Sequence, residues 1–378
     1  MTQATAGTQL LSTVTTGHDR WMETVGIPIH RGYFIDDLRT LELGWWEERQ
    51  CQAAFLEMRG QQGVTEVRVT EIAPGKTLPP VRFSLDETVY VVEGRGLTTV
   101  WADGKEKKTF EWQKHSLFLL PGNHTYQLSN TQGDRPVRLM HTNYLPLAMS
   151  AIADPRFYFQ NSFEPPENVD FYSEAKVITQ EGQGSRAGST RSMWVGNFFP
   201  DMRVWDQLDQ LASRGAGGRA VMIDFPGSEL TCHMSVIPAL RYKKAHRHGA
   251  GFVIVIPAGD GYSIMWPEGE EKQVIPWHEA SIFVPPLNWF HQHFNVGDRP
   301  ARYLAIHPPR GRTGVGETMV NPSQNQIEFD QEDAFVRQKF EEELRQRGFT
   351  TRMVEEAYTT PDYQWTYDPG ENFAQDSA

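Results

Sequence analysis

The sequence predicts an all-β protein made of two copies of one domain, on three observations. From about residue 64 to 145, short β-branched and aromatic stretches such as "TEVRVTEI", "ETVYVVEG" and "HSLFLLP" alternate with Gly, Pro and Asp turns, the pattern of a sandwich or barrel. A similar stretch runs from about 219 to 308. Matching Gly94 to Gly259, a shift of 165 residues, also pairs Trp101 with Trp266, Trp112 with Trp277, Ser116 with Ser281, Pro121 with Pro286, Asn123 with Asn288 and Asn130 with Asn295. One residue then drops out, and "GDRPVRLMH" falls on "GDRPARYLA". Rare residues recurring at one offset mark an internal duplication.

Taken in order, residues 1–63 read as a polar and aromatic N-terminal arm, 64–145 as the first barrel, 146–218 as a connector, 219–310 as the second barrel and 311–378 as a C-terminal helix and tail. The opening "MTQATAGTQLLSTVTTGHDRW" lacks the basic and apolar regions of a signal peptide, and no apolar run approaches a membrane span, so a soluble cytoplasmic protein is expected. In the connector, "QEGQGSRAGSTRS" is loop-like, and "DMRVWDQLDQLASRGAGG" predicts a helix opened by Asp201 and stopped by glycines. Near the end, "QEDAFVRQKFEEELRQRGF" sets Phe335, Phe340 and Leu344 at helical spacing, a helix with one packed face. The final "ENFAQDSA" is expected to fray.

At 378 residues there is room for two domain-sized cores. The net charge of −12, from 36 basic and 48 acidic residues, argues against nucleic acid and against an anionic membrane surface as partners. Cys51 and Cys232 form no disulfide framework and no CxxC motif, and read as buried thiols.

The motif "AHRHGAGF" in the second copy places His246 and His248 one residue apart, followed by Phe252 and Gly259; later come Pro286, Asn288, His291 and Asn295. These residues resemble the two motifs of the cupin superfamily, His-x-His with a Glu and a Gly downstream, and Pro-x-Gly followed by His and Asn. The resemblance implies two jelly-roll barrels, a bicupin, with a metal site inside the barrel that keeps the histidines. Strand alternation puts His246 and His248 on one face, and a strand across the barrel brings His291 beside them, so three imidazoles can hold one divalent ion. In the first copy Val81, Phe83 and Tyr126 stand at the histidine positions while Glu87 stands opposite Phe252, so that barrel is expected to be metal-free. His124 and His141 read as ordinary histidines there.

Phe252 in place of the usual Glu leaves a neutral ligand set, so a divalent ion keeps its charge and favours a small anionic, chelating substrate. Three further residues are candidates for catalysis. His293 shares the parity of His291, as an acid or base near the ion or as filler of a polar corner. Tyr242 and Lys244 share the parity of His246, facing a substrate carboxylate or snorkelling at a strand end. Arg241, Lys243 and Arg247 alternate to the other face as solvated charge, and Trp266 and Trp277 repeat Trp101 and Trp112 as core.

Three functions compete. "HRH" and "HQHFN" are similar to the gentisate and salicylate type of Fe(II) ring-cleaving dioxygenase, which implies Fe(II) as cofactor and dioxygen as co-substrate; that type holds its metal in the N-terminal barrel, unlike this chain. A metal-dependent isomerase, lyase or decarboxylase would use Mn, Zn or Ni as a Lewis acid; oxalate decarboxylases resemble the chain less at the site, because they keep the Glu that Phe252 replaces. A non-catalytic small-molecule-binding cupin is the third. Exposed jelly-roll edges and the habit of related bicupins make a homodimer the expected assembly.

Overall fold

A computed structural model describes residues 15–163, 173–181, 190–204, 208–310, 322–361 and 363–367. It is an all-β molecule of two jelly-roll barrels, each formed by a larger sheet facing a smaller one. The duplication is visible strand by strand: Glu66–Ile72 corresponds to Thr231–Ile237, Arg95–Trp101 to Asp260–Trp266, Lys108–Gln113 to Gln273–His278 and Thr125–Asn130 to Phe290–Asn295.

The repeated residues recur because each performs the same local task twice. Asn123 and Asn288 sit in the left-handed region at φ 60° and 58°, which Asn tolerates better than most residues. The side-chain amides of Asn130 and Asn295 each donate to three backbone carbonyls, Ile72, Ala73 and Arg135 in one copy and Ile237, Pro238 and Arg299 in the other. Trp112 donates to Thr98 Oγ1 at 2.9 Å and Trp277 to Ser263 Oγ at 3.1 Å. A Cβ on the facing Gly96 or Gly261 would collide with those indoles.

Alternation sorts each strand between two environments. Along Thr231–Ile237, Cys232, Met234 and Val236 enter the large core between the barrels, whereas Ile237 faces the interior of the second barrel. Leu304 and Ile306 join the same shared core, as do Val67, Val69 and Tyr90 from the first copy. The arm and the connector complete this arrangement by exchanging strands. Phe34–Ile35 pairs with Ile282–Phe283 of the second barrel, and Phe198–Phe199 pairs with Leu117–Phe118 of the first. The turn after each is the same: the Leu38 amide donates to Ala280 and the Met202 amide to His115, both at 3.0 Å, and Asp37 and Asp201 accept from the amides of Arg39 and Arg203 at 2.8 Å.

That turn explains one correction. The stretch from 201 to 218 does not form the expected helix: its described residues make a turn, a short strand Asp209–Gln210 and a 3-10 turn Ala212–Arg214. Asp201 caps an amide two residues on, which serves a turn as readily as a helix start. The C-terminal helix does form, over Ala334–Gln346 with Asp333 as N-cap, but its packed face is Val336, Phe340 and Leu344, and Phe335 is 42 % exposed. Residues 182–189 of the predicted loop and the terminal "ENFAQDSA" lie outside the described residues. No helix among the described residues is long and apolar enough to cross a membrane.

Candidate metal centre

Inside the second barrel, His246 pairs in register with His291 across antiparallel strands, and His248 follows on the same side. The ring centroids lie 4.2 Å apart for His246 and His291, 4.6 Å for His248 and His291 and 5.6 Å for His246 and His248. One nitrogen from each ring lies within 4.8 Å of the others, close enough to converge on one ion.

The hydrogen bonds prepare these nitrogens. Opposite a carbonyl a ring nitrogen must donate, so Nδ1–H of His291 points to Trp289 O at 3.2 Å and Nδ1–H of His248 to Gly249 O at 2.9 Å. That tautomer leaves the Nε2 lone pair of each available, and outer partners of this kind are what fix a ligating imidazole. Nε2 of His291 and Nδ1 of His246 are buried without any hydrogen-bond partner, an arrangement that costs free energy unless something else occupies the atoms. Burial holds His248 down at about 4 and pushes His246 and His291 well below the ordinary histidine range, so all three are neutral donors at pH 7. The residues therefore fit a divalent ion. Phe252 closes one flank, its ring 4.1 Å from His248 and 4.9 Å from His307.

His293 stands one layer away, its ring 5.5 Å from His291 and 6.4 Å from His246. Its Nδ1 lies 2.8 Å from Ser263 Oγ, its Nε2 is buried without a partner, and burial holds it near 3.

Tyr242 and Lys244 are not with it. Tyr242 stacks on Phe294 under the C-terminal helix, its hydroxyl donating to Glu332 and 3.0 Å from Tyr358; Lys244 pairs with Glu328. The reason is a bulge: His246 pairs with His291 and Tyr242 with Phe294, so four residue steps on one strand match three on the other. The extra residue inverts the parity on which the sequence reading depended. Lys243, expected in solvent, is the lysine inside, 1 % exposed, its ammonium donating to Ser235 Oγ and 5.0 Å from the centroid of the Tyr303 ring. Burial pushes Lys243 down to about 7.

Two more histidines line this interior. His233 Nδ1 lies 2.6 Å from His307 Nε2, and Thr231 Oγ1 lies 3.1 Å from His307 Nδ1. Neither belongs to the His-x-His motifs. The repeat is the signal that could have found them, because it places His233 on Arg68 and His307 on Asn143, both buried and polar.

The first barrel holds an ion network where the second holds imidazoles. Buried Arg68 pairs with both Glu66 and Glu87; His18 lies 2.8 Å from Glu66, His141 2.8 Å from Glu87, and Asn143 donates to both carboxylates at 3.2 and 3.1 Å. His141 is thus the partner of a buried carboxylate.

No model of a known protein family matches the chain. A glucose-6-phosphate isomerase from Pyrococcus furiosus is 24% identical over 164 residues, spanning 39% of this chain and 80% of that protein. Among solved structures, oxalate decarboxylase of Bacillus subtilis is 10% identical, with a TM-score of 0.47 over 73% of this chain and 77% of that one. A further structure of that enzyme, at pH 4.6, is 8% identical, with a TM-score of 0.45 over 72% and 75%.

Proposed function

We propose that the chain is a metal-dependent enzyme of the cupin type that holds one divalent ion on His246, His248 and His291 and acts on a small anionic substrate. The observation that carries this reading is the convergence of three neutral imidazoles, two of which, His246 and His291, have a buried nitrogen without a hydrogen-bond partner. When bound, the ion would supply a Lewis acid for an oxygen-rich substrate. Phe252 keeps water from one flank, and the buried Lys243, pushed down to about 7, carries its proton about half the time at neutral pH in an interior whose imidazoles are neutral. A non-redox isomerase, lyase or decarboxylase using Mn, Zn or Ni is the leading reading, in keeping with the isomerase relative. An Fe(II) dioxygenase is the second, supported by a ligand group that contains no carboxylate. A homodimer belongs to the same proposal, through edges such as Lys176–Glu181, which ends its sheet.

The test is elemental analysis of protein purified without added metal, with turnover of β-diketones, gentisate, oxalate and sugar phosphates measured with and without oxygen. Manganese, zinc or nickel with anaerobic turnover supports the leading reading, and iron with oxygen uptake supports the second. A protein that binds no divalent ion at all overturns both.

A further inference from the structure

The first barrel reaches the metal centre of the second through a turn. Strands Cys51–Met58 and Glu66–Ile72 are joined by "RGQQGVT", residues 59–65. This turn is tied from within: the Gln61 amide donates to Met58 O at 3.0 Å, the Val64 amide to Gln61 O at 2.9 Å and the buried Gln61 side chain to Thr65 O at 3.1 Å, while Gln62 and Gly63 take φ of 45° and 71°. Satisfied polar contacts of this kind make a segment a rigid support.

Its outer face meets the two loops that orient the ligands. Gly60 O accepts from the Gly251 amide at 2.9 Å, Thr65 Oγ1 donates to Gly251 O at 3.3 Å, and Gln62 Oε1 accepts from the Leu287 amide at 3.2 Å. Gly251 follows shortly after Gly249, whose carbonyl takes Nδ1–H of His248, and Leu287 comes just before Trp289, whose carbonyl takes that of His291. The Asn288 amide, donating to His248 O at 3.0 Å, ties the two loops together. Approach is closest at Gly60: a Cβ there would stand 2.1 Å from Val284 O and 2.7 Å from Pro285 O, so any other residue drives the turn and the loop before His291 apart.

The duplication supplies a comparison. The corresponding turn of the second barrel reaches the first through Ser228, whose hydroxyl donates to Asp86 Oδ2 at 2.6 Å, and Asp86 Oδ1 accepts from the Gly122 amide at 2.7 Å. Asp86 and Gly122 are the counterparts of Gly251 and Leu287. Each barrel thus props the same two loops of the other, but only the loops of the second carry histidines at the ligand positions.

We propose that the turn Arg59–Thr65 positions His248 and His291, with Gly60 and Thr65 as the positioning residues, so that the metal-free barrel sets the metal affinity of the other. The proposal rests on the reading of His246, His248 and His291 as ligands of one divalent ion. An imidazole held by a carbonyl turns with that carbonyl, and loss of such outer support costs about 10–100-fold in metal affinity.

Cobalt(II) titration of the full chain, first stripped with a chelator, tests it, with affinity and the visible d–d absorption of the bound ion read together. The parent is expected to bind Co(II) saturably. Gly60 lies outside the left-handed region, so the methyl of Gly60→Ala acts on the second barrel and not on the turn itself; this variant should weaken binding by about tenfold or more and shift the d–d band. Thr65→Val should move both readings the same way by a smaller factor, and Thr65→Ser should restore them. Ser228→Ala cuts the opposite prop and should leave both at the parent level. Parent affinity and band in Gly60→Ala and Thr65→Val, or an equal loss in Ser228→Ala, would overturn the proposal alone; a parent that takes up no Co(II) would overturn the ligand reading and the proposal with it. If Gly60→Ala unfolds, Thr65→Val against Thr65→Ser decides.

Discussion

Arg68→Met is the perturbation that separates the two barrels most sharply. Arg68 is 3 % exposed and is the cation shared by Glu66 and Glu87. Although burial alone would raise it, the charge of Arg68, with His141 and Asn143, holds the Glu87 carboxyl down at about 2 against an ordinary 4.5. At about 1.4 kcal/mol per pH unit, that difference corresponds to roughly 3 kcal/mol of stability at pH 7. Glu66 also loses its guanidinium and keeps only His18 and Asn143, so the whole change should cost about 3–5 kcal/mol, the range for breaking a buried pair. A lowered carboxyl gives stability that is complete above the unfolded value near 4.5 and lost as pH falls through the folded one near 2. The deficit of Arg68→Met, measured by urea unfolding, should therefore shrink between pH 5 and pH 3. The triple variant with Glu66→Gln and Glu87→Gln should recover most of it at pH 7. Metal content should stay at the parent level, since the imidazoles are in the other barrel. A deficit below about 1 kcal/mol at pH 7, or one of equal size at pH 3, would refute the assignment of Arg68 as the keystone of this network.

His291→Ala should lower metal content to background while leaving the far-ultraviolet circular dichroism spectrum intact; an unchanged metal-to-protein ratio would remove His291 from the ligand set. Burial holds the Glu332 carboxyl up at about 7, so its stabilising, protonated form is complete below the unfolded value near 4.5 and lost as pH rises through 7. Glu332→Gln should accordingly match the parent at pH 5 and exceed it by about 2–3 kcal/mol at pH 9 in urea unfolding, and a gap already present at pH 5 would contradict that. Lys243 binds its proton less readily folded than unfolded, so the parent is penalised as pH falls from about 10.5 to about 7 and stays so below. Lys243→Met should then be more stable by about 2–4 kcal/mol at pH 6, with metal content unchanged, and a loss of stability there would mean the ammonium has an anionic partner.

The duplication and the three candidate ligands were legible because both rest on residues that few others can replace. Asn at a left-handed turn, Gly under an indole and His at alternate positions each leave a one-letter trace. The exchanged strands were not, since "YFIDDLR" and "NFFPDMR" share only Phe, Asp and Arg, and the pairing that defines them lies in the other copy. Lys243 was hidden for a different reason. A bulge has no signature in the letters "RYKKAHRH", yet it reverses every inside–outside assignment upstream of it. His293 escaped the error because Phe290–Asn295 is a regular strand, where parity holds through to His291.

The two interiors diverge as coupled sets of residues. Glu87 stands at the position of Phe252, and Arg68 at the position of His233. In the first barrel the carboxylate is held by the guanidinium, and neither is free to serve a metal. A buried carboxylate without that arginine would bear a desolvation cost that only a bound cation could offset, and a buried arginine without the carboxylate would repel a cation. Retaining Glu87 therefore goes with Arg68, and losing the arginine in the second barrel goes with losing the carboxylate. His233 in its place is neutral, held well below the ordinary histidine range by burial first and by the neighbouring His307 and Lys243 after it. The second interior is thus free of fixed negative charge among the lining residues named above, and its buried lysine, Lys243, is itself pushed down to about 7. On the function proposed above, a divalent ion would meet nitrogen lone pairs and no counter-charge there, so charge balance would be left to an anion that comes with it, which is the physical reason that proposal names a small anionic substrate.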